Sequence, residues 1–185
     1  GCGALGAREF LKEFLPSPRV KEENGVFSLI SGTHSIGRIR QFMGNASLVV
    51  RTYMWIMQHG AQGLKEAAIC SVLNNQYLMK HLAEIPGISV WYAPGKRRIE
   101  QVRYSLETLK RETGLGTDDF SRRITDYGLE TYHQSHHPFV VPEPFTLEPC
   151  ESYSKDDLDE YISVFTQVSK EAYTQPELLR NAPYH

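Results

Sequence analysis

The chain has 185 residues, 41% of them hydrophobic and 23% charged, with a formal net charge of −2. That is the composition of an ordinary globular protein long enough to bury a core, as one domain or one domain plus a fragment of another. The charge balance does not favour a nucleic-acid partner, no apolar run approaches the roughly 20 residues that span a bilayer, and residues 1–8 lack a basic region followed by an apolar one, so a cytoplasmic location is expected.

Gly1, Gly3 and Gly6 with Ala4 and Leu5 make a small-residue apolar start, suited to an interior strand that approaches other backbone closely. Residues 9–15 predict a short helix stopped by Pro16 and Pro18. Asn24-Gly25, between 19–23 and 26–30, predicts a type I′ hairpin because both residues tolerate positive φ. From 46 to 59 the only formally charged side chain is Arg51, amid Leu48, Val49, Val50, Tyr53, Met54, Trp55, Ile56 and Met57. Such a helix is expected to be largely buried, with Arg51 as an anchor bonded to carbonyls.

Gly60 and Gly63 interrupt that helix, and a second one is expected over about 64–83. Leu64, Ala67, Ala68, Val72, Leu78, Met79 and Leu82 share one side of its wheel, with Ile69, Leu73 and Tyr77 opposite, so neighbours are expected on both sides. Cys2, Cys70 and Cys150 are odd in number and far apart, which reads as reduced thiols. Cys70, inside the helical pattern, reads as a small core residue.

After Pro86-Gly87 the pattern becomes one of short strands and helices. Strands are expected over 89–92 and 98–106, and near 129–133, 139–141 and 145–147. A helix capped by Thr117 runs to Tyr127 before Gly128 and turns Phe120 and Ile124 inward. Ser154 with Asp157 starts another that buries Leu158, Ile162 and Phe165. This is a small α+β domain with helices against a mainly antiparallel sheet. His133, His136 and His137 have the residue type of metal ligands, but with no fourth ligand to place they read as a polar loop, and no metal site is expected.

Residues 1–16, read with Ser35-Ile36-Gly37-Arg38, Gly44-Asn45 and Val50-Arg51-Thr52-Tyr53, resemble the region after the cofactor lysine in fold-type I pyridoxal-phosphate enzymes. Further along stand Gly60 to Leu64, Val72-Leu73-Asn74-Asn75, Asp126-Tyr127-Gly128, Glu148-Pro149 with Glu151-Ser152, Ser154-Lys155, Pro176-Glu177-Leu178-Leu179 and Ala182-Pro183. In this order and spacing the chain resembles subunit 2 of the two-subunit glycine decarboxylase, the P-protein of the glycine cleavage system, over nearly its whole length.

The resemblance implies an α/β fold: the α+β carboxy-terminal domain of a fold-type I transferase, preceded by the tail of its large domain. Residues 1–45 would be that tail with the hairpin, 46–85 connecting helices, and 86–185 the small domain. The implied reaction is decarboxylation of glycine, with the aminomethyl group passed to a lipoyl carrier protein. The implied cofactor is pyridoxal 5′-phosphate in the full-length protein, not covalently bound to this chain. Implied partners are the amino-terminal part of the same subunit, glycine decarboxylase subunit 1 and the lipoyl carrier, with no nucleic acid or membrane. The Schiff-base lysine would fall upstream of residue 1, so no catalytic residue is expected here; Lys12, Lys21, Lys65 and the other lysines read as solvated surface.

By the same resemblance Gly44 and Asn45 approach the cofactor phosphate at a helix amino end, unless Asn45 only caps that helix. Arg38 either binds an anion in a bidentate manner or forms a structural ion pair. Arg98, Glu100 and His133 face the substrate. The family reads His-Glu where this chain has Glu100-Gln101, and Gly-Phe-His-x-Pro-Thr where it has Gly128-Leu129-Glu130-Thr131-Tyr132-His133. These departures leave open a second class, an interaction domain that has lost catalysis, and a third, another fold-type I enzyme such as a desulfurase or aminotransferase.

Overall fold

The structure, a computed structural model, describes residues 3–91, 95–99, 101–130, 132 and 140–184. Its elements, in order, are a 3-10 turn (Glu9–Phe14), β1 (Arg19–Glu23), β2 (Val26–Ile30), α1 (Ala46–Leu82), β3 (Ser89–Val90), β4 (Val102–Ser105), α2 (Glu107–Thr113), α3 (Thr117–Thr125), β5 (Pro144–Leu147), α4 (Lys155–Thr174) and α5 (Pro176–Arg180). α1 is broken at Gly60, where φ 61° and ψ −176° form a combination essentially restricted to glycine. The chain divides into two compact units, 1–61 and 62–185.

In the first unit β1 and β2 pair antiparallel, with Glu23 opposite Val26. Asn24 and Gly25 both take positive φ, 53° and 78°, as a type I′ turn requires. Residues 32–37 are knitted to 14–17: Ser35 Oγ donates to the Leu15 carbonyl at 2.8 Å, and Ile36 N–H to the Phe14 carbonyl at 3.2 Å. Beside this seam lies an apolar pocket of about 670 Å³ lined by Leu5, Phe10, Phe14, Ile36 and Ile39 among others.

Three expectations fail in this unit. Residues 3–8 form no strand, because a strand needs a paired neighbour and none of the described residues supplies one. The 46–59 stretch is helical but not buried: Val50, Tyr53, Met54 and Met57 are all more than half exposed, and Arg51 is exposed rather than an anchor. The apolar stretch identified residues that want cover, and the described residues do not provide it.

The second unit carries the core. β3, β4 and β5 form an antiparallel sheet in that order, with Tyr104 directly opposite Phe145 and their rings stacked at 4.9 Å. Phe165 of α4 tilts against Phe145 at 5.7 Å and Phe120 of α3 at 5.1 Å, while Tyr132 adds a third ring against Phe145. Leu78 and Leu82 of α1 close the same core. α4 begins as expected, with Ser154 N–H bonded to Asp157 and Asp157 N–H to Ser154 Oγ.

Several details differ from expectation. α2 was unforeseen, and β4 stops at Ser105 rather than 106. Residues 129, 130, 140 and 141 are not strand. Gly116, not Thr117, is the cap residue of α3. The capping acceptor comes from far along the chain, since Glu143 Oε2 receives the Thr117 N–H at 2.7 Å. Cys70 is exposed rather than core, because the buried side of α1 runs through Asn75, Leu78 and Leu82 and leaves Cys70 facing away.

Candidate functional site

The residues expected from the sequence to carry the chemistry fall in two sets, one in each unit. In the first, the chain enters α1 through Phe42 at φ 46° and Gly44 at φ 76°, followed by Asn45 immediately before the helix. Asn45 Oδ1 accepts a hydrogen bond from Ser47 Oγ at 2.9 Å, so the side chain engages the first turn through a hydroxyl rather than by taking a backbone N–H. The first turn of α1 holds no acidic residue, which leaves the positive end of the helix dipole unopposed. Arg38 is exposed and makes no hydrogen bond or ion pair with the described residues.

Arg40, which the sequence did not single out, is the arginine tied to this turn. Its Nη2 donates to the Pro18 carbonyl at 2.6 Å, and its Cδ lies 3.2 Å from where a Cβ on Gly44 would sit. Gly44 is therefore fixed twice, by its left-handed φ and by the arginine stem alongside.

In the second unit Arg98 lies ahead of β4, half-buried. Its Nη2 donates to the Trp91 carbonyl at 3.3 Å, and its own carbonyl accepts from Gln76 Nε2 at 2.5 Å. Glu100 and His133 lie outside the described residues, as do His136 and His137. Among the described residues no group of three or more His, Cys, Asp or Glu side chains could hold a metal ion. Among them, too, no helix is long and apolar enough to cross a membrane.

The remaining motifs of the resemblance have structural work. Asn74 Nδ2 donates to the carbonyls of Cys150 and Tyr153, and Ser71 Oγ to Glu151, which fastens residues 150–153 to α1. Asp126 joins a buried network in which Arg123 donates to Asp126 Oδ2 at 2.9 Å and to Glu171 Oε2 at 2.8 Å. Tyr127 and Gln167 donate to Glu171 as well. Burial pushes the Glu171 carboxyl up, but bonds from Arg123, Tyr127 and Gln167 outweigh it and hold the group below the usual carboxylate range. The hydrogen bond to Glu171 raises the Arg123 guanidinium further above its ordinary value.

The family described as "Glycine dehydrogenase, C-terminal domain" matches residues 67–182. The chain is 36% identical over 189 aligned residues to a "Probable glycine dehydrogenase (decarboxylating) subunit 2" of Pyrococcus horikoshii, covering 100% of this chain and 37% of the relative. A protein of the same description from Thermotoga maritima is 35% identical, with 100% and 38% covered. The chain thus spans little more than a third of the length of these relatives. Among solved structures, a glycine decarboxylase (P-protein) of the glycine cleavage system in inhibitor-bound form superposes with a TM-score of 0.67 at 18% identity, over 86% of this chain and 37% of that one. Mouse CSAD superposes at 0.51 with 11% identity, over 64% and 26%. Both likenesses concern the fold, a mixed helix and strand architecture.

Proposed function

From the premise that this chain belongs to the family of glycine dehydrogenase carboxy-terminal domains, we propose that residues 1–185 are the carboxy-terminal part of a pyridoxal-phosphate-dependent glycine decarboxylase of the subunit 2 type. The observation that carries this reading is the alignment with subunit 2 relatives along the entire chain. The whole protein releases CO₂ from glycine and passes the aminomethyl group to a lipoyl carrier protein, with subunit 1 as its partner, in the cytoplasm. Residues 1–45 complete the large domain, 46–85 connect, and 86–185 form the small domain.

Pyridoxal phosphate, when bound, supplies an electron sink for the bond that loses CO₂. The residues of this chain fit a role at its phosphate. The amino end of α1 has no acidic residue in its first turn and opens on Gly44 and Asn45, the arrangement that receives anions. Arg38 adds a cation with exposed donors. Arg98, Glu100 and His133 face the substrate, and the Arg98 guanidinium orients the glycine carboxylate. Every lysine of the chain is exposed, which agrees with a Schiff-base lysine outside residues 1–185 and with inactivity of this chain alone.

The test is exchange of labelled bicarbonate into the glycine carboxyl group by the full-length protein with subunit 1 and the lipoyl carrier. Wild type is expected to exchange, and Arg38→Ala or Arg98→Ala to lose about tenfold or more in turnover or cofactor affinity, since a charge-assisted hydrogen bond contributes roughly 1.5–3 kcal/mol. Exchange no greater than an enzyme-free control removes decarboxylation and leaves an interaction domain. Robust exchange untouched by both substitutions keeps the family and rejects these site residues.

A further inference from the structure

Among the described residues up to 61, not one is buried. The hairpin, the seam between 14–17 and 32–37 and the first part of α1 are ordered all the same, and ordering a backbone without burying apolar surface is unfavourable. Cover for this unit therefore has to come from outside the described residues. The need is greatest on the first part of α1. At the helical spacing, Val49, Val50, Tyr53, Met54, Ile56 and Met57 fall on one face about 160° wide. All six are exposed, every one but Ile56 by more than half. Arg51, Trp55 and His59 lie on the opposite side, where the Trp55 ring rests against His59 at 4.6 Å. An apolar face of that width marks an interface, and its lack of charge suits a permanent partner rather than one that comes and goes.

The occupant follows from the lengths. The subunit 2 relative from Pyrococcus horikoshii aligns along this whole chain with only 37% of its own length. The C-terminal domain family takes residues 67–182, so the greater part of such a relative precedes the matched region. A preceding segment would join at residue 1, in the same unit as the exposed face, and a tethered segment meets its site at high effective concentration. We propose that the face formed by residues 49–57 is the docking surface for the part of the same polypeptide that precedes residue 1. The first part of α1 is then an interface helix as well as a connector. This rests on the reading of residues 1–185 as the carboxy-terminal part of a longer subunit.

The experiment uses the full-length protein with subunit 1 and the lipoyl carrier present. The photo-crosslinking residue p-benzoylphenylalanine replaces Tyr53 or Met57 on the apolar face, or Arg51 on the opposite side as a control. After illumination, denaturing gels read the mass of the product, and mass spectrometry identifies the joined peptides. Positions 53 and 57 are expected to link to residues ahead of residue 1 with no gain in mass over one subunit, while position 51 stays unlinked. Links from 53 and 57 to subunit 1 or to a second copy, each adding the mass of a chain, overturn the proposal. So does the absence of any link from both positions, or an equal yield from position 51. Met57 supplies the readout if the Tyr53 variant does not accumulate. No turnover is measured, so a link formed by a protein that fails to exchange bicarbonate leaves the docking intact and removes only decarboxylation. A full-length polypeptide with nothing ahead of residue 1 removes the carboxy-terminal reading itself, and the docking falls with it.

Discussion

Arg123 and Glu171 meet in a two-pronged pair, Nε to Oε2 at 2.8 Å and Nη2 to Oε1 at 3.4 Å, with their side chains only 13% and 5% exposed. The pair joins α3 to α4, and the Tyr184 backbone N–H donates to Asp126 Oδ1 at 2.7 Å, so the last described residues hang on the same cluster. Arg123→Ala would remove the Arg123 counter-charge from two buried carboxylates. The expected cost is about 3–5 kcal/mol, the size seen when one partner of a buried pair is removed, measured by urea unfolding. Arg123→Lys should recover only part of it, since an ammonium cannot span both carboxylates as the planar fork does. A loss under about 1 kcal/mol for the alanine variant would show the network to be dispensable.

The same carboxylate sets an acid limb. Glu171 titrates below its ordinary value in the folded chain, so its contribution is fully present above the unfolded carboxyl value of about 4.3 and is lost as pH falls through the lower folded one. Stability plotted against pH should therefore decline below about pH 4.3, and Glu171→Gln should make that decline shallower. An identical acid limb in both proteins would place the pH dependence elsewhere.

Glu143 has a left-handed φ of 45°, uncommon outside glycine. Its carbonyl accepts the Leu106 N–H at 2.9 Å while its carboxylate caps α3 at Thr117. A Cβ on Gly116 would lie 2.2 Å from Glu143 Oε2. Gly116→Ala should expel that carboxylate and cost about 1–3 kcal/mol. In a Glu143→Gly background, where the backbone is relaxed and the obstacle gone, the same substitution should cost much less. Simple additivity in that double-mutant cycle would count against the clash.

Asn75 is completely buried, and among the described residues no partner meets either atom of its amide. A buried amide without partners costs about 1–3 kcal/mol, so Asn75→Leu should leave stability unchanged or raise it. A clear drop in melting temperature would mean that the amide is satisfied in solution.

Local signals were legible in the sequence and long-range ones were not. Asn24-Gly25 and Ser154 with Asp157 each encode a turn or cap within four residues, and both form as read. Leu106 and Leu109, three apart before Gly114, held the signal of α2, but the preceding β-rich run was extended over Leu106 instead. The cap of α3 by Glu143 spans 26 residues and carries no local mark. Among the proposed site residues, Gly44 and Asn45 were visible as a glycine and a capping type before an apolar helix. The bond from Gln76 to the carbonyl of residue 98 was not legible, because a backbone carbonyl is advertised by no residue type. The nearly uncharged apolar run of 46–59 located the helix correctly but could not say whether its cover lies within the chain.

The pairing of Tyr104 with Phe145 has a kinetic side. The two strands are direct neighbours in the sheet, yet the whole of α2 and α3 is threaded between them in sequence. Closing so long a loop costs entropy before the stacked rings return any contact energy. The two short helices can form locally, on microsecond timescales, whereas β5 must wait for them to bring its segment home. β5 is then a late arrival in the folding transition state, and trimming Phe145 to Leu should hasten unfolding far more than it slows refolding.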